Sequence, residues 1–212
     1  MQVHNRVATH MLNARALLFD LGGVVLEFDF GRAFASWAAA SGADPNTLRR
    51  RFGFDDAYKQ HERGQIDASQ YFAHLRCLLQ VDLSDDALAT GWNAIFVGEM
   101  PRVRAILTKL AGCLPLYAFT NSNPTHIEEC RRRFPEVLDL FRKVFVSSAI
   151  GKRKPEADAF QEISRALREP LEQIMFFDDS QENVHAAQAL GMPAVHIRTT
   201  HDIERATEGL IA

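Results

Sequence analysis

R-A-L-L-F-D-L-G-G, Arg15 to Gly23, is a short apolar run that ends on an acid and then on two glycines. Apolar residues in unbroken succession, without polar alternation, read as a strand covered on both faces, which is how strands of parallel sheets read. Similar runs recur at 114–120, 143–147, 173–178 and 194–198. Helical periodicity alternates with them over 101–110, 124–134, 155–167 and 181–190. Pro101, Pro124 and Pro155 suit the first turn of a helix, where a missing N–H costs nothing, and Gly191 suits the position just past a helix end. Strand–helix alternation of this kind predicts an α/β fold, a Rossmann-like doubly wound parallel sheet with right-handed crossovers.

Residues 31–98 break the alternation, with helical patterns and no convincing strand. Asp67 with Gln70 reads as a capping box opening a helix over 68–79, and Ser84 opens another over 85–96. An insertion after the first strand sits at the carboxyl ends of the strands, where open α/β sheets bind ligands. The expected organisation is therefore a core of 14–30 and 99–212, an inserted helical cap of the C1 type over 31–98, and a poorly ordered leader over 1–13. Gly31 and Val97-Gly98 are expected to act as hinges between cap and core. Trp37 and Trp92 are expected in the core of the cap.

Composition narrows the function classes. The 212 residues are 47% hydrophobic and 24% charged, with a net charge of −3. There is no global basic field to attract nucleic acid, and the runs Arg49–Arg51 and Arg131–Arg133 read as solvated helix faces. Cys77, Cys113 and Cys130 are far apart and odd in number, which argues for free thiols rather than disulfides or a zinc site. No stretch reaches the length of a membrane span, and the first residues lack a secretory apolar core. The expectation is a cytoplasmic monomer or weak homodimer acting on a small molecule.

The chemistry gathers where strands end. Asp20 ends the first; Thr120-Asn121-Ser122-Asn123 ends the second; Gly151-Lys152-Arg153-Lys154-Pro155 follows the third; Asp178-Asp179-Ser180-Gln181-Glu182-Asn183 follows the fourth. Taken singly, each is an ordinary turn or helix cap. Together they fall on one edge of the predicted sheet.

In this order on an α/β chain, the four clusters resemble the four motifs of the haloacid dehalogenase-like superfamily. More narrowly, F-D-L-G-G-V-V-L-E-F-D-F, Q-H-E-R-G-Q-I-D, G-W-N-A-I-F-V and R-K-P-E-A resemble the bacterial α-D-glucose-1-phosphate phosphatase-like subgroup. The resemblance implies a magnesium-dependent phosphomonoesterase acting on a small phosphate ester, such as a hexose 1-phosphate, through an aspartyl-phosphate. It implies Asp20 as nucleophile with Thr120 and Lys154 as catalytic partners, and Gly22, Gly23, Asn121 and Glu62 at the substrate. Mg²⁺ would take Asp20, the Gly22 carbonyl and Asp179, with Asp178 and Asn183 held through water or in the outer shell. Each role suits the residue type. A carboxylate can take up and release a phosphoryl group, and lysine is a compact cation able to bridge nucleophile and phosphate. Oxygen donors suit magnesium. Metal-free 2-haloacid dehalogenases of the same superfamily carry serine and asparagine where this chain has Asp178-Asp179; adjacent carboxylates beside Asp20 call for a cation and favour phosphate.

One position departs from that pattern. Most phosphatases of the superfamily carry a second aspartate two residues after the nucleophile, as general acid and base; here it is Gly22. Removing such a group typically costs roughly 10²- to 10⁴-fold. Glu27, Asp29, His61 and Glu62 are the candidate substitutes. A third alternative is a binding module that keeps the phosphate and metal sites without turnover.

Overall fold

The computed structural model describes residues 13–211, so the expected leader lies outside the described residues except for Asn13. Five strands form one parallel sheet: β1 (Ala16–Phe19), β4 (Leu116–Thr120), β5 (Lys143–Val146), β6 (Ile174–Asp178) and β7 (Ala194–His196), in the order β5-β4-β1-β6-β7. Side-chain alternation explains the double winding. Leu17 and Phe19 of β1, with Met175 and Phe177 of β6, join one buried cluster; Ala16, Leu18, Ile174 and Phe176 join another on the opposite face. Both faces are thus covered by helices, and the central strands can be apolar throughout. β1 lies in the middle, paired with β4 on one side and β6 on the other. Its carboxyl end is the topological switch point, where open α/β sheets bind their ligands. Asp20 stands there.

Five helices, Phe30–Ser41, Pro45–Arg51, Asp56–Glu62, Ala68–Leu79 and Asp85–Asn93, fill the insertion. The Asp67/Gln70 capping box and the Ser84 cap are present as expected. Trp37 and Trp92 are fully buried and stacked with ring centroids 6.2 Å apart, and the Trp37 indole N–H donates to the Leu88 carbonyl at 3.0 Å. Arg49, Arg50, Arg131 and Arg132 are exposed as expected, while the last arginine of each run is tied down, Arg51 donating to the Leu79 carbonyl at 2.7 Å and Arg133 to the Phe96 carbonyl at 2.9 Å.

The insertion differs from the sequence reading at its two ends. Helix 85–96 stops at Asn93, and Phe96–Glu99 forms strand β3, antiparallel to β2 (Leu26–Phe28), with a bulge between Glu27 and Phe28. Gly31 and Val97-Gly98, expected as hinges, lie in the first turn of a helix and in this ribbon. Two helix starts also move. Pro101 precedes a helix that begins at Val103, and Pro155 one that begins at Ala157. At the second, the Lys154 carbonyl that would accept the first helical bond already accepts from the Asn121 side chain at 2.9 Å.

Gly91 tests the insertion's packing. Alanine is ordinarily the better residue in a helix by about 1 kcal/mol. Here a Cβ would fall inside the Trp37 indole ring. Gly91→Ala should therefore lower stability by about 1–3 kcal/mol against the helical preference, read as a lower midpoint in urea unfolding.

Candidate active site

The strand tips converge on one buried ammonium. Lys154 is 1% exposed, and its Nζ lies 2.9 Å from Asp20 Oδ1 and 2.7 Å from Asp178 Oδ2. The backbone of Lys154 is fixed from both sides by one residue. Asn121 accepts from the Lys154 N–H through Oδ1 and donates to the Lys154 carbonyl through Nδ2, each at 2.9 Å. This revises the expected role of Asn121. Its side chain is committed to positioning the lysine, and what it can offer an anion is its main-chain N–H. Ser147, which the sequence reading passed over, ties the same loop to the tip of β5: its Oγ accepts from the Ser122 N–H at 2.8 Å and donates to the Ser122 carbonyl at 3.0 Å.

Asp20, Asp178 and Asp179 present carboxylate oxygens that all lie within 4.8 Å of one another. Asp178 is wholly buried, accepting from the Ser180 N–H at 2.8 Å and from Asn183 Nδ2 at 3.0 Å. Asn183 therefore orients Asp178. The Leu21 N–H and Lys154 Nζ both bond Oδ1 of Asp20, at 2.7 and 2.9 Å. Burial pushes the Asp20 carboxyl up to about 7; Lys154 pulls the other way, and the charges of Asp178 and Asp179 add to the rise. Burial and Asp178 likewise raise Asp179. For Lys154, burial favours the neutral amine, but Asp178 and Asp20 outweigh it and the group is held above its ordinary value. Three carboxylates against one ammonium leave the cluster short of positive charge, and hard oxygen donors at this spacing fit a divalent cation such as Mg²⁺. Asp20, Asp178 and Asp179 are the residues whose carboxylates could hold such an ion.

Gly22 and Gly23 differ in what they need. Gly23 has φ +72°, the left-handed region, and its N–H donates to the Leu26 carbonyl at 2.9 Å; a Cβ there would fall on the Asp179 carboxylate. Gly22 lies outside that region, and a Cβ would meet only Phe28, 3.0 Å from its Cε1.

Of the four substitutes for the missing aspartate, Asp29 caps the helix it precedes, accepting from the Gly31 N–H at 2.7 Å, and Glu27 is exposed on the ribbon. His61 is buried, stacked on Tyr71 at 4.6 Å, with Nδ1 3.2 Å from the Ile66 carbonyl, and burial lowers its pKa. Glu62 reaches across to the segment that carries Lys154. It is buried and accepts from Arg153 Nε at 2.8 Å, and burial raises its carboxyl although Arg153 and the Tyr58 hydroxyl pull it down. Arg63 pairs with Glu156 beside it. Tyr58 was not singled out in the sequence; its signal was the i, i+4 spacing to Glu62 on one helix face. It lines a cavity of about 90 Å³ together with Gly22 and Thr120.

A sequence model of the haloacid dehalogenase-like hydrolases matches residues 14–191. A sesquiterpene phosphatase from Aspergillus oryzae is 26% identical over 86% of this chain and 89% of its own length. A D-ribitol-5-phosphate phosphatase from Bacteroides thetaiotaomicron is 22% identical over 82% of this chain and 87% of its own. A HAD-family enzyme of that organism, solved with magnesium and inorganic phosphate, superimposes with a TM-score of 0.77 at 26% identity, covering 86% of this chain and 93% of the other. An L-2-haloacid dehalogenase from Xanthobacter autotrophicus shares the fold at a TM-score of 0.66 and 18% identity, covering 87% of this chain and 77% of the other.

Gly23→Ala should separate metal binding from folding. The substitution strains the loop by about 1–3 kcal/mol and displaces Asp179. Magnesium should then raise the melting temperature of the parent protein, and the variant should need roughly 10- to 100-fold more magnesium for the same rise.

Proposed function

The chain belongs to the haloacid dehalogenase-like hydrolases, and we propose that it is a magnesium-dependent phosphomonoesterase that passes the phosphoryl group through Asp20. The coarse part of this reading, a phosphatase of small phosphate esters that uses magnesium, rests on the family and on relatives of that description. The finer part rests on one observation: a buried lysine bridges Asp20 and Asp178 inside a cluster of three carboxylates.

The residues act as follows. The Leu21 N–H and Lys154 hold one oxygen of Asp20, so the carboxylate is fixed at the strand tip and presents its other oxygen to phosphorus. Thr120, at the tip of β4, and the main-chain N–H of Asn121 supply donors for the phosphoryl oxygens. Lys154 neutralises charge on nucleophile and phosphoryl group as they approach. The bond from phosphorus to Asp20 forms as the bond to the ester oxygen breaks, and the departing alkoxide takes its proton from water. Water then attacks the aspartyl-phosphate, releasing inorganic phosphate and restoring the carboxylate. A bound magnesium ion supplies charge neutralisation at the phosphoryl oxygens. Asp20→Asn should lower turnover of p-nitrophenyl phosphate by at least 10³-fold, about 4 kcal/mol of barrier, while the circular dichroism spectrum stays that of the parent. Residual activity within tenfold would remove Asp20 from the reaction.

With glycine at position 22, protonation of the leaving group is the weak step. The hexose 1-phosphate expected from the sequence would ease that step through its comparatively acidic anomeric oxygen, although the largely apolar cavity beside Gly22 offers its hydroxyls few partners. Gly22→Asp should then raise kcat/KM for primary alkyl phosphates at least tenfold and leave p-nitrophenyl phosphate within a few-fold. The backbone permits it, since Gly22 is not in the left-handed region and only the exposed Phe28 ring must yield. Equal dependence on leaving-group acidity before and after the substitution would mean that another donor, Glu62 or Tyr58, already supplies the proton.

A further inference from the structure

The cavity beside the nucleophile opens between β1, the ribbon and the insertion. Gly22 and Thr120 form its end at the strand tips, and Leu26, Phe28, Phe30, Ile95, Phe96 and Ile127 make most of its wall. Its polar lining is small, and beyond the Thr120 and Ser122 hydroxyls it is engaged already. The Asn121 side chain is bound to the backbone of Lys154. His126 bonds the Trp92 carbonyl at 3.0 Å, and the Tyr58 hydroxyl faces Glu62. Among the described residues no carboxylate, lysine or arginine lines it. Among the described residues the exposed large hydrophobics are Phe28, Phe54 and Val97, and the first two sit at this place. Phe28 belongs to the wall, and Phe54 lies edge-on to Phe30 at 5.6 Å and to Tyr58 at 4.9 Å. Exposed apolar groups gathered on one patch mark a binding surface.

Because this wall continues from Gly22 and Thr120, its occupant is the part of the substrate beyond the ester oxygen. We infer that the site takes phosphate monoesters of apolar alcohols, with the alcohol seated against Phe28, Phe30, Phe96 and Ile127. This rests on the phosphomonoesterase reading above. A sugar or polyol entering the same space would lose water from several hydroxyls and find few free partners, and each unsatisfied hydroxyl is costly. An alkyl or aryl group meets none of that cost and gains by leaving water.

The test is a series of esters that share a primary alkyl leaving oxygen: propyl, pentyl and heptyl phosphate against glucose 6-phosphate, with acetyl phosphate as a small substrate that needs only the phosphoryl site. The expected result is a kcat/KM that rises about 2- to 4-fold per methylene along the alkyl series, mostly through KM, with glucose 6-phosphate at least tenfold below pentyl phosphate. In Phe28→Ser and Ile127→Asn the slope per methylene should flatten towards 1. Glucose 6-phosphate turned over as well as the alkyl esters, or an alkyl series without slope in the parent, overturns the assignment of substrate class while leaving the phosphatase reading intact. Failure to turn over acetyl phosphate in the presence of magnesium overturns the phosphatase reading itself. The slope in the parent decides the matter even where a variant does not fold.

Discussion

One buried ammonium holds the strand tips together. Lys154 bridges Asp20 at the end of β1 and Asp178 at the end of β6, and Asn121 at the end of β4 clamps its backbone. Breaking such a buried pair by removing one partner costs about 3–5 kcal/mol, because the remaining charges lose their compensation. The same contact binds structure to chemistry. The residue that makes three carboxylates tolerable in the interior also contacts Asp20, the nucleophile proposed above. Carboxylates crowded in this way favour protonation of one of them or the arrival of a cation. A site of this kind is under electrostatic tension until substrate and metal complete it.

What was legible in the sequence follows from physics that is local. Apolar runs ended by polar residues identified all five strands of the sheet, because a strand covered on both faces leaves no room for polar alternation. The strand tips then singled out Asp20, Thr120, Lys154, Asp178 and Asp179 as candidates, and the structure brings Asp20, Lys154, Asp178 and Asp179 together, since the carboxyl ends of parallel strands share one edge. The ribbon was not legible. Phe96–Glu99 is four residues long, contains a glycine, and follows a helix without a break signal; its pairing with Leu26–Phe28 is set by a partner seventy residues away in the chain. Asn121 was read as a substrate ligand because an amide at a strand tip points equally well to an anion or to a peptide group. Only the position of Lys154 decides between them.

Two stretches that looked unrelated in the sequence turn out to be one feature. Glu62-Arg63, at the end of an inserted helix, pairs crosswise with Arg153 and Glu156, which flank the active-site lysine. The Glu62–Arg153 pair is almost fully buried, at 5% and 18% exposure, so solvent screens it little. The insertion is thereby held against the segment that positions Lys154. A side chain at position 62 acts on the site through that segment, whatever it does to the substrate directly.

The ribbon also governs how the insertion can move. Its two strands are the two passages of the chain between sheet and insertion, and they are hydrogen-bonded to each other rather than independent. Two separate linkers would allow swivel in any direction. A paired ribbon carries both passages as one piece, so a movement of the insertion relative to the sheet bends or twists the two strands together. Phe28 and Phe96, which face the cavity, are carried on the ribbon itself. The element that bends is therefore also a wall of the chamber it opens, and a molecule filling the chamber acts as a splint on its own door.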